Sequence, residues 1–372
     1  MTSSPVIGIV RSDHDLEHLA DEWRQLSQRT GGGPFSDYDW FHIWWTHLAK
    51  PDAANSLHVV TARRDSRLVA VLPLYVARRK GIRVVQEGGH KAFNSWDMLA
   101  EQDADAVAAW DGARQSPFYD FANIREVYAG TMGHTTLSSF AHKRDVVGAF
   151  GVKASSTHGE DYLLQLSHSR RYEYRSSLRR MGKVAPVSFG ICRNNPVPLE
   201  IVDAMVRHKV DWAHTHHQQG LLFLPNVQEF FRQWVQKAAE QGRLALTWLK
   251  CGNDVVAYNF ALLHNDTAIA STRSYDPAWA RYAPGNAVMI LSVIWAIDNG
   301  FATVDMGQGG GYKASFCNAS WECAEFTFAG SLRGKLLEWA FISARKLSRR
   351  IRGVHAETKQ DAQAATKLKR DV

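Results

Sequence analysis

Residues 281–287, Arg281-Tyr282-Ala283-Pro284-Gly285-Asn286-Ala287, stand between a run that reads as a strand (267–275) and one that reads as a helix (284–299). Pro284 suits the first turn of that helix and Gly300 its end. The first amides of a helix have no internal partner and carry partial positive charge. Gly285 lets a ligand approach the main chain. A pyrophosphate fits such an end, with Arg281 as a charged companion; an ordinary Pro-Gly turn explains the same letters.

Upstream, 243–250, 254–263 and 267–275 read as a β-meander. They are joined by Cys251-Gly252-Asn253 and His264-Asn265-Asp266, which carry good turn pairs. Two longer helices, 201–217 and 227–241, precede it, and a basic helix, 170–183, precedes those. Downstream, 301–306 reads as a strand ending near Asp305. Then come the glycine-rich Gly307-Gln308-Gly309-Gly310-Gly311 and Tyr312-Lys313. A tyrosine there is suited to protonate a leaving thiolate. The plain alternative is a glycine-rich turn with Asp305 tying down amides.

The first half has a looser version of this order. A strand at 6–10 is followed by a helix at 16–28. A second helix starts at 36–39, with Ser36 as its cap, and carries Trp40, Trp44 and Leu48 on one face. Strands 57–63 and 67–77 form a hairpin, and a helix lies near 104–115. The expectation is an α/β (α+β) chain of two tandem domains, each a mixed, mostly antiparallel sheet flanked by helices. The bounds expected are 1–160 and 161–331. A basic amphipathic helix at 332–352 and a disordered tail at 353–372 follow.

Composition narrows the function. Hydrophobic residues are 45% and charged residues 22%, so the chain is globular and long enough to bury a full core. From Arg333 onward eleven Lys/Arg face four Asp/Glu, which is the whole +7 excess. The body is formally neutral, which argues against DNA and disfavours tRNA as partners. The four cysteines show no CxxC and read as reduced thiols. No signal peptide is expected from the first residues, and no 18-residue apolar run occurs in the sequence. His208, Asp211, His214, His216 and His217 share one helix without a metal motif, so no metal is expected.

Gly252-Asn253-Asp254-Val255-Val256-Ala257, Ser274-Tyr275-Asp276-Pro277, Ala283-Pro284-Gly285, Asn299-Gly300, Asp305-Met306-Gly307 and Tyr312-Lys313 together resemble the GNAT-type acyltransferase domain of CelD-like proteins of cellulose and exopolysaccharide biosynthesis. That domain is related to Fem-type aminoacyltransferases. The resemblance covers roughly 15–330. It implies a GNAT fold, acyl-CoA as co-substrate with no permanently bound cofactor, an amine, amino sugar or envelope precursor as acceptor, and a bacterial cytoplasmic enzyme. It places CoA on Arg281, Tyr282, Pro284, Gly285, Asn286 and Ala287. Gly285 and Ala287 fit the family's phosphate loop, whereas Tyr282 stands where Arg or Gln is usual. Tyr312 is the expected acid, Asp305 or Asp276 the base or acceptor anchor, and Lys313, Trp44 and Tyr275 the substrate contacts. The basic 170–183 helix is a candidate for CoA's 3′-phosphate, a glycan or tRNA. The C-terminal basic helix either docks on the body or touches the inner membrane peripherally. The competing readings are a Fem-type aminoacyl-tRNA-dependent transferase and a non-catalytic partner of a polysaccharide synthase.

Overall fold

The computed structural model describes residues 4–90, 92, 95–115, 119–140, 143–216, 221–308, 312–340 and 343. In the first half these are β1 (Val6–Val10), α1 (Asp13–His18), α2 (Ala20–Thr30), α3 (Tyr38–Trp44), β2 (Asn55–Leu57), β3 (Val59–Arg64), β4 (Arg67–Leu72), β5 (Leu74–Arg79), β6 (Ile82–Glu87), β7 (Leu99–Ala100), α4 (Asp103–Gln115), β8 (Phe121–Tyr128), α5 (Met132–Phe140) and β9 (Lys143–Lys153). The second half has α6 (Tyr162–Gln165), α7 (His168–Gly182), β10 (Val187–Cys192), α8 (Leu199–Thr215), α9 (Val227–Glu240), β11 (Leu244–Cys251), β12 (Asp254–His264), β13 (Thr267–Tyr275), α10 (Pro284–Asp298), β14 (Thr303–Gln308) and β15 (Ala319–Ala329).

The meander expected at 243–275 is present, with Gly252 and Asn265 at positive φ in its two turns. The helix expected at 16–28 is two segments meeting at Leu19. Bonds from Leu19 N to Asp15 O (3.2 Å) and from Trp23 N to Leu19 O (2.9 Å) carry it across the break. The cap of α3 is Asp37, which accepts from Asp39 N at 2.8 Å, and not Ser36, whose hydroxyl turns to Asp97 O. The α3 tryptophans are core. Trp40 packs on Trp234 of α9 at 4.5 Å between centroids, and Trp234 packs edge-on to Phe260 of β12, so one aromatic cluster joins the halves.

Both halves follow one plan, and the fold is mixed α/β with helices flanking the sheets. Antiparallel strands end in β6 and in β13; a helix follows, α4 or α10; then a strand runs parallel to the one before it, β8 to β6 and β14 to β13. Among the described residues, β1-β3-β4-β7 form one sheet and the other eleven strands a second, in the order β10-β11-β12-β13-β14-β9-β15-β8-β6-β5-β2. The last strands are crossed over. β9, from the first half, pairs with β14 of the second; β15, from the second, pairs with β8 of the first; the two pair with each other in the middle.

Residues 332–340 are helical, and Ser331 caps them by accepting from Gly334 N at 2.9 Å. Leu332, Leu336 and Trp339 are 81%, 72% and 68% exposed. Docking of the helix on the body therefore does not use this face. Most of the expected basic segment and the 353–372 tail lie outside the described residues, as do His217 and Gly309 to Gly311.

Candidate active site

β13 and β14 are hydrogen-bonded in register only over Thr267↔Thr303, Ala268↔Val304 and Ile269↔Asp305. Beyond that they part. The gap holds a cavity of about 360 Å³ lined by 270–275 of β13, Val304 and Met306 of β14, Met289, Ser292 and Val293 of α10, Lys209 and Trp212 of α8, and Tyr312 and Lys313. The parting has a local cause. Phe260 pairs with Thr272 but Ala261 with Ala270, so Ser271 is the extra residue of a β-bulge that bends β13 away.

Of the residues expected from sequence, Tyr275, Tyr312 and Lys313 line this cavity. Tyr312 is half exposed, and its hydroxyl accepts from Arg273 Nη2 at 3.0 Å. Lys313 Nζ donates to the Met306 and Gln308 carbonyls at 2.6 Å each, and burial pushes it below the ordinary lysine value.

Asp305, Asp276 and Trp44 do not line it. Asp305 is partly buried, and desolvation raises its carboxyl. It accepts from Gly307 N (2.7 Å) and from the Tyr128 hydroxyl of β8 (3.3 Å), which makes it a brace across the halves. Asp276 caps the short 3₁₀ turn 277–282 by accepting from Ala278 N at 2.9 Å. Trp44 is 2% exposed, packed on Phe41 and Tyr75. It borders a separate cavity with His90, Leu221 and Leu224.

The start of α10 adjoins this cavity through Tyr275, whose ring would lie 3.1 Å from any Cβ at residue 285. Ala283 takes a left-handed conformation at φ 55° to turn the chain into the helix. Asn286 N already makes a 3.2 Å turn bond to Ala283 O, and Ala287 N a 3.5 Å bond to the same oxygen. The Gly285 amide has no acceptor among the described residues. Of these three amides, that of Gly285 is thus the open main-chain donor among the described residues. Around it, Arg281 donates to the Tyr282 hydroxyl (2.8 Å). Arg180 of α7 donates to Arg281 O (3.0 Å) and lies over the Tyr282 ring. The basic α7 helix therefore meets this loop through Arg180.

Sequence reasoning missed Lys209, Trp212 and Arg273. Lys209 Nζ stacks on Trp212 at 4.7 Å; burial, reinforced by Arg273 and Lys313, lowers it to about 8. The i, i+3 spacing of Lys209 and Trp212 was the available signal. On the same helix, His214 and His216 are in ring contact with Phe223 and Trp212, and no cluster among the described residues holds a metal.

The Acetyltransferase (GNAT) domain model matches residues 168–314. No curated protein matches in sequence. Among solved structures, FemX is similar at a TM-score of 0.58 and 9% identity, covering 89% of this chain and 99% of its own. L-PGS from Bacillus licheniformis is similar at 0.55 and 12%, covering 88% and 96%. These two likenesses concern the fold. The domain match lies on the segment that holds the cavity, and on it residues 168–314 are a GNAT-type acyltransferase domain within a mixed α/β chain.

Proposed function

We propose that the protein transfers an acyl group from acyl-CoA to the nitrogen of an amine, amino sugar or cell-envelope precursor, exopolysaccharide intermediates included. The observation that carries this is the parting of β13 from β14 at the Ser271 bulge, which opens a cavity beside the start of α10. A thioester reaching into that gap has main-chain amides of β13 beside its carbonyl, where negative charge develops. The CoA diphosphate falls at Gly285, with Arg281 and Arg180 alongside.

The free amine attacks the thioester carbon; the C–N bond forms and the C–S bond breaks. Tyr312 gives its proton to the departing sulfur, and Arg273, already donating to that oxygen, stabilises the phenolate. The nitrogen's extra proton leaves through water and restores Tyr312. Among the described residues no carboxylate lines the cavity, so neither Asp305 nor Asp276 serves as the base in this scheme. With three cations around it, the cavity favours an uncharged amine over an ammonium.

The second donor to test is aminoacyl-tRNA, the Fem-type alternative; FemX and L-PGS share the fold of this chain over nearly nine-tenths of its length. Melting curves with acetyl-CoA, with charged tRNA and with neither separate the two, because a ligand bound only by the folded state raises its stability. Stabilisation by acetyl-CoA alone is expected; stabilisation by charged tRNA alone would overturn the donor assignment. We place the enzyme in the cytoplasm, with the 332–340 helix meeting the inner membrane surface. No helix among the described residues is long and apolar enough to cross a membrane.

A further inference from the structure

We propose that Lys209, Arg273 and Lys313 form an anion subsite that holds a carboxylate or phosphate of the acceptor, so that the enzyme acts on an acidic amine. This rests on the cavity being the acyl-transfer site. The three cations come from three elements, α8, β13 and the segment after β14, and converge on one cavity that no acidic residue lines among the described residues. Arg273 spends one arm on Tyr312 and lays another against Met289 Sδ. Lys313 has one donor left after its two carbonyls. Lys209 has no carboxylate partner among the described residues, only the Trp212 ring.

Like charges gathered in a half-buried space destabilise the protein that carries them, and Asp305, the carboxylate that acts on Lys313, lies outside the cavity lining. A ligand anion supplies the missing charge. The hydroxyls of Ser271 and Ser274 strengthen the case. Both residues line the cavity, both hydroxyl oxygens are buried, and neither has a hydrogen-bond partner among the described residues. An oxyanion satisfies hydroxyl donors and ammonium donors together. The arrangement also orients the reaction: the anion is held by the cations while the same field keeps the amine free of its proton for attack.

The test uses the full chain at constant ionic strength, with succinate and inorganic phosphate as anionic probes, succinamide as the neutral counterpart, and acetyl-CoA in parallel. Succinate or phosphate at ten times its Kd is expected to raise the melting temperature by roughly 2 °C, and succinamide to leave it unchanged. Lys209→Met and Arg273→Met are each expected to weaken anion binding by roughly tenfold or more while the acetyl-CoA shift persists. Equal shifts from succinamide and succinate overturn the subsite without any variant, and so does undiminished anion binding in both variants. Succinate competing with acetyl-CoA, with both lost together in the variants, assigns the anion to the donor and overturns the acceptor assignment. Anion shifts that persist in a protein that binds no acetyl-CoA sink the acyl-transfer reading and leave the subsite standing.

Discussion

Burial pushes the Lys209 ammonium from the usual 10.5 to about 8, and Arg273 and Lys313 press it the same way. The sign of the effect on stability follows. Between those two values the unfolded chain keeps a proton that the folded chain has released. The penalty is therefore complete below pH 8, and stability recovers as pH rises toward 10.5. Lys209→Met is expected to melt roughly 4 °C higher than the parent at pH 7, with the difference closing by pH 10.5. A variant that melts lower at pH 7 would show that the charge is already compensated. For Tyr312, substitution by Phe is expected to lower kcat by about 10²-fold with KM for acetyl-CoA little changed; steady-state kinetics at saturating donor decide it, and an unchanged kcat removes Tyr312 as the acid. Tyr312, Lys313 and Tyr275 were legible because a run of motifs in fixed order marked them. Lys209 was not. It stands among His208, Asp211 and His214, and a polar helix face of that kind reads as solvated until the strand it packs over is known.

At the scale of elements, the meander β11 to β13 and the entry to α10 could be read because their signals are local: turn pairs, alternating apolar residues, and a proline and glycine one after the other. The bulge at Ser271 could not, since nothing in Ala270-Ser271-Thr272 differs from ordinary strand sequence; it exists only in the register with β12. The helix at 332–340 is a different case. Leu332, Leu336 and Trp339 fall at i, i+4 and i+7, one stripe, and the structure leaves that stripe uncovered. Arg345, Lys346, Arg349, Arg350 and Arg352 follow it in sequence. Such a pairing of apolar stripe and basic run suits an anionic lipid surface. The full chain is expected to cosediment with vesicles containing phosphatidylglycerol but not with pure phosphatidylcholine. Leu336→Ser with Trp339→Ser is expected to reduce the bound fraction several-fold. Equal binding to both lipids, or no loss in the double variant, argues against it.

For the molecule as a whole, the crossed strands matter most. Neither Lys143–Lys153 nor Ala319–Ala329 carries a mark of its partner, because pairing across some 170 residues of chain is set by tertiary packing and not by local pattern. Residues 161–331 alone would leave β14 without β9, strip β15 of both neighbours, and expose the face of α9 that Trp40 and Phe35 cover. That fragment is expected to show no cooperative melting transition by circular dichroism, whereas the full chain melts in one step. A fragment that melts cooperatively and binds acetyl-CoA would show the halves to be independent.

The exchange of β9 and β15 also bears on how such a protein can change over time. Once each repeat ends in the other's sheet, losing either copy opens a raw edge beside the cavity between β13 and β14. The two must then be inherited as one gene at equal dose, and a smaller enzyme cannot be reached by simple deletion.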